Sequence, residues 1–207
     1  MNLVVLGANG RTGIQVVRLA LDQGAHVGAV VRSEAKRPSI RHDKLKAIVG
    51  DPCDPKFLTE AFRDQDAVIS TLGGRLPTKK ATSIYPLSAR AIVKAAQGNG
   101  LKRITVTSSA LLFPPRRWSD RALSALVPNV VHSATEMEKI LCSADLDLVV
   151  ARCGFLTDAD ETKYRSRLDA LPEDGSSISR RSLAHFLVDS VNRSSRGPAI
   201  YGVSRPR

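Results

Sequence analysis

Short apolar runs alternate along the chain with longer stretches in which apolar residues recur at helical spacing. The runs predict six strands buried on both faces, at residues 3–6, 26–31, 45–49, 67–71, 103–108 and 146–151. The helical spacing predicts helices at residues 11–23, 55–62, 83–96, 121–126, 131–143 and 181–192, and residues 198–203 predict a closing strand. This alternation predicts the α/β class, with a doubly wound parallel sheet and helices on both faces.

Nothing in the pattern divides the 207 residues into separate units. We find no internal repeat, low-complexity segment or linker, so we expect one Rossmann domain over residues 1–207, with a short C-terminal region capping the substrate side. No apolar stretch approaches the roughly 20 residues that a membrane span needs. The chain also enters its first strand without a basic leader. We therefore expect a soluble, cytoplasmic protein without a membrane partner, either a monomer or a weak homodimer.

The charge and the cysteines narrow the function classes. The net charge is +11, but the basic residues are scattered and aromatic residues make up only 4% of the chain, which disfavours nucleic acid as a partner. A positive cleft for a small anion, such as a phosphorylated cofactor or an acidic acceptor, explains the charge equally well. Cys53, Cys142 and Cys153 are far apart and lack CxxC spacing, so we expect no disulfide and no metal site.

A glycine-rich turn follows the first predicted strand directly. Its first glycine permits a tight turn, its second lets the backbone approach a pyrophosphate, and its third lets the next helix pack closely on the strand. Such turns also occur for purely structural reasons, but a position at the start of a β-α-β unit favours a dinucleotide site at the helix N-terminus. The expected cofactor contacts are Gly7, Asn9, Gly10, Arg11, Thr12 and Gly13.

The end of the second strand predicts NADP(H) rather than NAD(H). A carboxylate at this position binds the ribose 2′-hydroxyl of NAD, whereas an arginine pairs with the 2′-phosphate of NADP. This chain has Arg32 and Ser33 there, with Glu34 one residue further on. Arg32 offers a bidentate, charge-assisted grip on a phosphate. The alternative is a solvated arginine at a strand end.

Polar and small residues follow the third and fourth strands, where open α/β sheets bind their ligands. We expect Asp51 to flank the adenine, although an Asp before Pro is also a common turn residue. We expect Thr71, Leu72 and Gly73 to flank the nicotinamide ribose.

Five segments, in this order, resemble the atypical short-chain dehydrogenases: GANGRTG, VVRS, GD, STLGG and VTSSALLF. Within that group the chain is most similar to the biliverdin-IXβ reductase family, also called NADPH-dependent flavin reductases. The NmrA-like NADP-binding regulators share much of the pattern. The resemblance implies that Thr107 and Ser108 lie beside the nicotinamide and that Arg75 reaches toward the substrate. Ala134, two residues from His132, stands where the family has a histidine.

The segment after the sixth strand, RCGFL, resembles the Arg-Pro-Gly-x-Leu turn of these enzymes, with Cys153 in place of proline. We expect Arg152, at its start, to contact the cofactor. The run from Pro114 to Trp118 is either a mobile substrate lid or a solvated loop anchored by its tryptophan.

Typical short-chain dehydrogenases use a Tyr-x-x-x-Lys pair as proton donor, and the sequence has no such pair at the required place. Tyr85 lies too early, and Tyr164 and Tyr201 lie too late. A flavin or a linear tetrapyrrole can take its proton from solvent, so the protein needs only to position the reactants. Ser108 would then orient the nicotinamide or the substrate, although a structural turn serine fits almost as well.

The sequence therefore predicts an NADPH-dependent oxidoreductase that transfers hydride to a planar, anionic acceptor, with Arg75 neutralising the acceptor's charge. Two alternatives stay open. One is a non-catalytic NADP-binding sensor of the NmrA-like type, which the missing Tyr-x-x-x-Lys pair favours. The other is an epimerase or dehydratase that acts on sugar nucleotides, which the short C-terminal region disfavours.

Overall fold

A computed structural model describes residues 1–74, 76–115, 118–192 and 197–206. Within these ranges one eight-stranded sheet forms the centre of the fold, and a separate two-stranded sheet lies beside it. The strands are β1 (Asn2–Leu6), β2 (His26–Val31), β3 (Leu45–Val49), β4 (Ala67–Ser70), β5 (Arg103–Ser109), β6 (Asp147–Cys153), β7 (Phe155–Thr157), β8 (Arg165–Leu168), β9 (Ser177–Ser179) and β10 (Ala199–Ser204).

The order of strands in the large sheet is β3-β2-β1-β4-β5-β6-β10-β8, and β7 pairs with β9 in the small one. All strands of the large sheet run parallel to one another except β8, which lies at the edge and is antiparallel to β10. The chain crosses from one half of the sheet to the other after β3, so the switch point lies between β1 and β4. In open α/β sheets such a switch point leaves a crevice at the carboxyl ends of the strands, where ligands bind.

Helices cover both faces of the large sheet. They are α1 (Arg11–Asp22), α2 (Pro55–Ala61), α3 (Lys79–Thr82), α4 (Ile84–Asn99), α5 (Trp118–Leu126), α6 (Pro128–Cys142) and α7 (Arg180–Val191). The core has two parts, one on each face. Helices α1 and α7 bury their apolar sides in the first, and α2, α4 and α6 bury theirs in the second. In the described chain, no helix is both long enough and apolar enough to cross a membrane.

Local signals explain where two of these helices begin. Asp54 caps α2 by accepting a hydrogen bond from the Lys56 N–H at 2.9 Å, and Pro55 takes the first helical position, where its missing N–H costs nothing. Ser179 caps α7 in the same way, accepting from the Ser182 N–H at 2.9 Å. The second cap places the start of α7 directly after β9.

The predicted parallel sheet and flanking helices are confirmed, with corrections in the second half of the chain. One edge strand, β8, is antiparallel to its neighbour β10, and the sequence pattern did not predict this strand. Strands β7, β8 and β9 lie in the polar stretch for which no strand was predicted. Strand β8 is largely exposed, so it lacks the apolar run that marks a buried strand.

Three helices also differ from the prediction. The short helix α3 was not predicted, and α5 begins at Trp118 rather than at residue 121. Helix α6 begins at Pro128 rather than at residue 131, because proline suits the first helical position, where no N–H is needed.

Candidate active site

The glycine turn connects β1 to α1 at the switch point of the sheet. Gly7 has a φ of +79°, a backbone conformation that favours glycine, and its carbonyl accepts a hydrogen bond from the Gly10 N–H at 2.8 Å. A Cβ at position 13 would lie 2.2 Å from the Gly7 oxygen. Helix α1 therefore starts directly against the end of β1, an approach that a larger residue at position 13 would prevent.

The N-terminus of α1 has the features of an anion site. Gly10 supplies no side-chain cap, and the first turn carries no acidic residue. The unpaired N–H groups and the positive end of the helix dipole would therefore favour a phosphate here. A Cβ at position 10 would come within 3.1 Å of the Gly7 oxygen, so the tight turn itself favours glycine there.

Two predicted cofactor contacts, Asn9 and Arg11, are exposed at the mouth of this turn, whereas Thr12 is buried. Arg11 forms an ion pair with Asp158, which also pairs with Arg180 at 2.8 Å. Both side chains of the Arg11 pair are exposed, so the ion pair is weak and a phosphate can compete for the guanidinium.

Thr71 links the end of β4 to the glycine turn. Its hydroxyl donates a hydrogen bond to the Leu6 carbonyl oxygen at 3.1 Å, and the Gly7 carbonyl oxygen lies 3.4 Å from the same hydroxyl. Leu72 packs on the core, and Gly73 follows at the carboxyl edge of the sheet. These three residues therefore follow the carboxyl end of β4, and their contact with a nicotinamide ribose stays a prediction.

Arg32 and Ser33 follow β2 and are exposed. Asp51 follows the neighbouring strand β3, and its Oδ1 accepts a hydrogen bond from the Cys53 N–H at 2.9 Å, so it also serves as a turn residue. Burial, aided by the Asp51 carboxylate, raises the pKa of Cys53 to about 11, while the Arg32 charge opposes this. Arg32, Asp51 and Cys53 thus lie together at the carboxyl ends of β2 and β3, and the contact of Asp51 with an adenine stays a prediction.

A buried ionic network lies beneath the carboxyl ends of β5 and β6. The Ser108 hydroxyl donates to Glu138 Oε1 at 2.5 Å. Arg152 donates to the same oxygen through Nε at 3.1 Å and to Glu138 Oε2 through Nη2 at 2.6 Å. The Glu138 side chain is only 6% exposed. The network joins β5, β6 and α6 at one point.

Arg152 also anchors the segment that follows β5. Its Nη1 donates to the Leu112 carbonyl at 3.0 Å, and its guanidinium carbon lies 4.7 Å from the centre of the Phe113 ring. Each of the three guanidinium nitrogens of Arg152 therefore donates a hydrogen bond to the protein, and the Phe113 ring lies against the guanidinium face. Its predicted contact with a cofactor stays a prediction.

A cavity of about 370 Å³ opens at the carboxyl ends of β5 and β6. This is within the size range of about 300 to 1,000 Å³ that is typical of small-molecule sites. The segment at residues 171–176 forms one wall, α5 another, and the end of β5 the floor. The apolar residues in the lining are Ala110, Leu111, Phe113, Pro114, Pro115, Leu123, Phe155 and Leu171. The charged ones in the described lining are acidic: Asp120, Glu173 and Asp174.

Thr107 and Ser108 lie at this edge, but neither lines the cavity. The Thr107 hydroxyl lies 3.5 Å from the Ser70 oxygen, and Ser108 points toward α6. The next residue, Ser109, lines the cavity instead. Arg75, the third predicted catalytic residue, lies outside the described residues, as do Arg116 and Arg117 of the run from Pro114 to Trp118.

Three further residues from the second half of the chain, Trp118, His132 and Cys153, were singled out in the sequence. Trp118 is 83% exposed, so its side chain is not part of the buried core. His132 lies on α6 and is not in the lining of the cavity. Burial raises the pKa of Cys153 to about 12, which leaves its thiol protonated and not nucleophilic at neutral pH.

Sequence reasoning missed three residues at this edge: Glu138, Ser109 and Tyr85. A signal existed for Glu138, which occupies the apolar stripe of α6 between Ala134 and Leu141, where a carboxylate requires a buried partner. Tyr85 was set aside on its position in the sequence, yet its hydroxyl would lie 3.3 Å from a Cβ at Gly73. Burial raises the pKa of Tyr85, and Cys153 raises it further, while a backbone hydrogen bond from Gly74 lowers it.

The described residues include no group of three or more His, Cys, Asp or Glu side chains that could hold a metal ion. The glycine turn, the switch-point crevice and the adjoining cavity together define a Rossmann-type dinucleotide-binding protein. The family model for NAD(P)H-binding proteins matches residues 7–194, and the chain belongs to this family.

Curated relatives share this region at low identity. The chain is 27% identical over 198 residues to the uncharacterized sugar epimerase YhfK of Bacillus subtilis, covering 93% of this chain and 88% of the relative. It is 28% identical over 159 residues to the photosystem II assembly factor Ycf39 of Cyanophora paradoxa, covering 75% of this chain. The chain spans only 46% of the length of that assembly factor.

Solved structures show the same fold. A short-chain dehydrogenase/reductase from Veillonella parvula in complex with NADP superposes with a TM-score of 0.80 at 19% identity, covering 99% of this chain and 94% of that one. ChuY, an anaerobilin reductase from Escherichia coli O157:H7, gives a TM-score of 0.78 at 21% identity, covering 100% and 98%.

Proposed function

We propose that this protein is an NADPH-dependent reductase that passes hydride to a planar acceptor, either a flavin or a linear tetrapyrrole. The observation that carries the proposal is the juxtaposition of two sites at one edge of the sheet. The glycine turn lies at the end of β1, and the mostly apolar cavity lies at the ends of β5 and β6. A nicotinamide dinucleotide laid across the switch point would extend from the first site to the second.

The chain would hold the cofactor through both backbone and side chains. The N-terminus of α1 would bind the pyrophosphate, and Arg32 with Ser33 would bind the 2′-phosphate. Asp51 would flank the adenine, and Thr71 with Gly73 would flank the nicotinamide ribose. When bound, NADPH supplies the hydride, and the chain's contribution is to hold the two rings in contact.

The proton that accompanies the hydride would come from solvent. Glu138 accepts hydrogen bonds from Ser108 and Arg152 and does not line the cavity, so it is not placed to pass a proton to the acceptor. Cys153 retains its proton at neutral pH, because burial raises its pKa to about 12. A flavin or a conjugated tetrapyrrole tolerates this arrangement, whereas a simple ketone requires an acid beside its oxygen.

The anionic character of the acceptor depends on Arg75, because the charged residues in the described lining are acidic. Two acceptors distinguish an anionic from a neutral preference, because FMN carries a phosphate and riboflavin has the same ring system without it. Faster turnover of FMN at equal concentration would support an anionic acceptor, and a preference for riboflavin would support a neutral one.

The test of the proposal is NADPH consumption in the presence of FMN, riboflavin or biliverdin, corrected for the reaction in protein-free mixtures. We expect saturable turnover with at least one of these acceptors and little turnover with NADH. Tight NADPH binding without turnover across the panel would contradict the reductase and favour the NADP sensor. Conversion of a sugar nucleotide without net NADPH consumption would favour the epimerase.

A further inference from the structure

Helix α5 presents two different faces. Its inner face, which includes Asp120, its only acidic residue, together with Leu123 and Ser124, lines the cavity. The side chains of the opposite face are exposed: Trp118, Arg121, Ala122, Ala125 and Leu126. Their spacing, at i, i+3, i+4, i+7 and i+8, is that of one side of a helix. We call these five residues the α5 surface.

The α5 surface is mostly apolar, yet it faces water. Trp118 is 83% exposed and Leu126 is 76% exposed. A third large apolar side chain, that of Phe155, is 64% exposed and lines the same cavity as the inner face of α5, so it lies near the helix. Groups of large apolar side chains on a protein surface are typical of sites that bind another protein or a membrane.

Basic side chains accompany the α5 surface. Arg121 is exposed within it, and Lys79 and Lys80 are exposed on α3. The segment before α3 is tied to the start of α6, directly after α5, because Asn129 Nδ2 donates to the Pro77 carbonyl at 3.0 Å. The two lysines therefore lie toward the C-terminal end of α5. An anionic partner complements this arrangement.

We propose that the α5 surface docks the protein on an anionic lipid membrane, with the helix lying flat and Trp118 and Leu126 buried at the boundary between headgroups and acyl chains. Helices that bind in this way combine Lys or Arg with Trp and Leu. Each basic residue near an anionic leaflet adds to the attraction. A second copy of the chain is a poorer occupant, since each copy carries a net charge of +11 and the two would repel.

The docking helix is already formed. A nine-residue helix is too short to be stable alone, but α5 packs on α6 and its inner face lines the cavity. Docking would therefore place the cavity beside the lipid headgroups. The inference goes beyond the proposed function and does not depend on it. The expectation of no membrane partner was based on the lack of a spanning stretch, which a helix lying on the surface does not need.

The experiment uses Trp118, which is the only tryptophan of the chain, so that its fluorescence reports on the α5 surface directly. The 207-residue protein is titrated with vesicles of pure phosphatidylcholine and with vesicles containing about one third phosphatidylglycerol. We expect a blue shift of the emission and protection from iodide quenching with the anionic vesicles only. Co-sedimentation measures the bound fraction.

Two pairs of variants separate the apolar from the charged contribution. Leu126→Ser should weaken binding to anionic vesicles about three- to tenfold, whereas Leu126→Met should bind as the wild type does. Arg121→Gln should weaken binding about fivefold. Arg18→Gln removes an exposed charge from α1, which packs on the other face of the sheet from α6, and should have little effect. All three positions are exposed, so we expect unchanged thermal midpoints.

Binding that depends on Arg121 but not on Leu126, without a blue shift, would overturn the proposal and indicate general adsorption of a basic protein. Equal binding to both kinds of vesicle, or binding to neither, would also overturn it. A blue shift that grows with protein concentration in the absence of lipid would overturn it in favour of a second copy on the α5 surface.

Discussion

The glycine turn and the cavity at the ends of β5 and β6 lie at the same edge of the sheet, but one short segment forms the turn and several distant segments form the cavity. The turn uses seven consecutive residues, and its shape depends on backbone that comes within van der Waals contact of other backbone. The cavity draws on the end of β5, on α5 and on the segment at residues 171–176, which are far apart in sequence. The ionic network of Ser108, Glu138 and Arg152 holds two of its strands together.

The difference teaches where each region tolerates change. In the turn a single added methyl group meets backbone, which cannot move without shifting a strand or a helix. At the cavity the wall residues can vary in size and polarity as long as the buried charges beneath them stay paired. Substitutions that break either condition should therefore have large effects, and substitutions nearby that break neither should have small ones.

The largest effect is expected from Glu138→Ala. It leaves Arg152 buried without its counter-charge, which should lower the free energy of unfolding by about 3 to 5 kcal/mol. Chemical denaturation measures this. The matched control is Glu136→Ala on the same helix, which removes an exposed ion pair with Arg90 and should cost at most about 1 kcal/mol. Equal losses in the two variants would show that the network does not hold the ends of β5 and β6 together.

A smaller effect is expected from Gly13→Ala in the turn. The new Cβ would meet the Gly7 oxygen at 2.2 Å, so the backbone must shift, at a cost of about 1 to 3 kcal/mol in unfolding free energy and a loss of NADPH affinity. Gly98→Ala on the exposed side of α4 is the control. Its Cβ would meet its nearest neighbour only at 3.7 Å, and it should stabilise the fold by about 0.5 to 1 kcal/mol. Unaltered NADPH binding in Gly13→Ala would contradict the close approach described for the turn.

The smallest effect concerns pH. A cysteine in the unfolded chain ionises near its ordinary pKa of 9.0, whereas burial raises the pKa of Cys153 in the folded protein to about 12. Between these values the folded state holds a proton that the unfolded state has lost. Stability should therefore fall as pH rises from about 9, by at most about 1.4 kcal/mol per pH unit from this thiol. The free energy of unfolding in urea should fall less between pH 8 and pH 10 in Cys153→Ala than in the wild type. An identical fall in the two proteins would contradict the raised pKa of Cys153.

The two regions also differ in how far their structure can be predicted from sequence. The turn is local, and glycines at 7, 10 and 13 between a strand and a helix predict its position correctly. The cavity is not local. The choice between Ser108 and Ser109 depends on which face of β5 meets α6, and the partner of Ser108 lies 30 residues away. Strands β7, β8 and β9 were missed for a related reason, since short strands with largely polar residues carry little apolar pattern of their own.

The cofactor choice is the claim on which the proposed function depends most directly, and a titration of the wild type and Arg32→Ala with NADPH and NADH tests it. We expect the wild type to bind NADPH more tightly than NADH. We also expect Arg32→Ala to lose about ten- to a hundredfold in NADPH affinity, as is usual for hydrogen bonds to a charged group, with NADH affinity nearly unchanged. Equal losses for both dinucleotides, or tighter binding of NADH by the wild type, would contradict the assignment of NADPH.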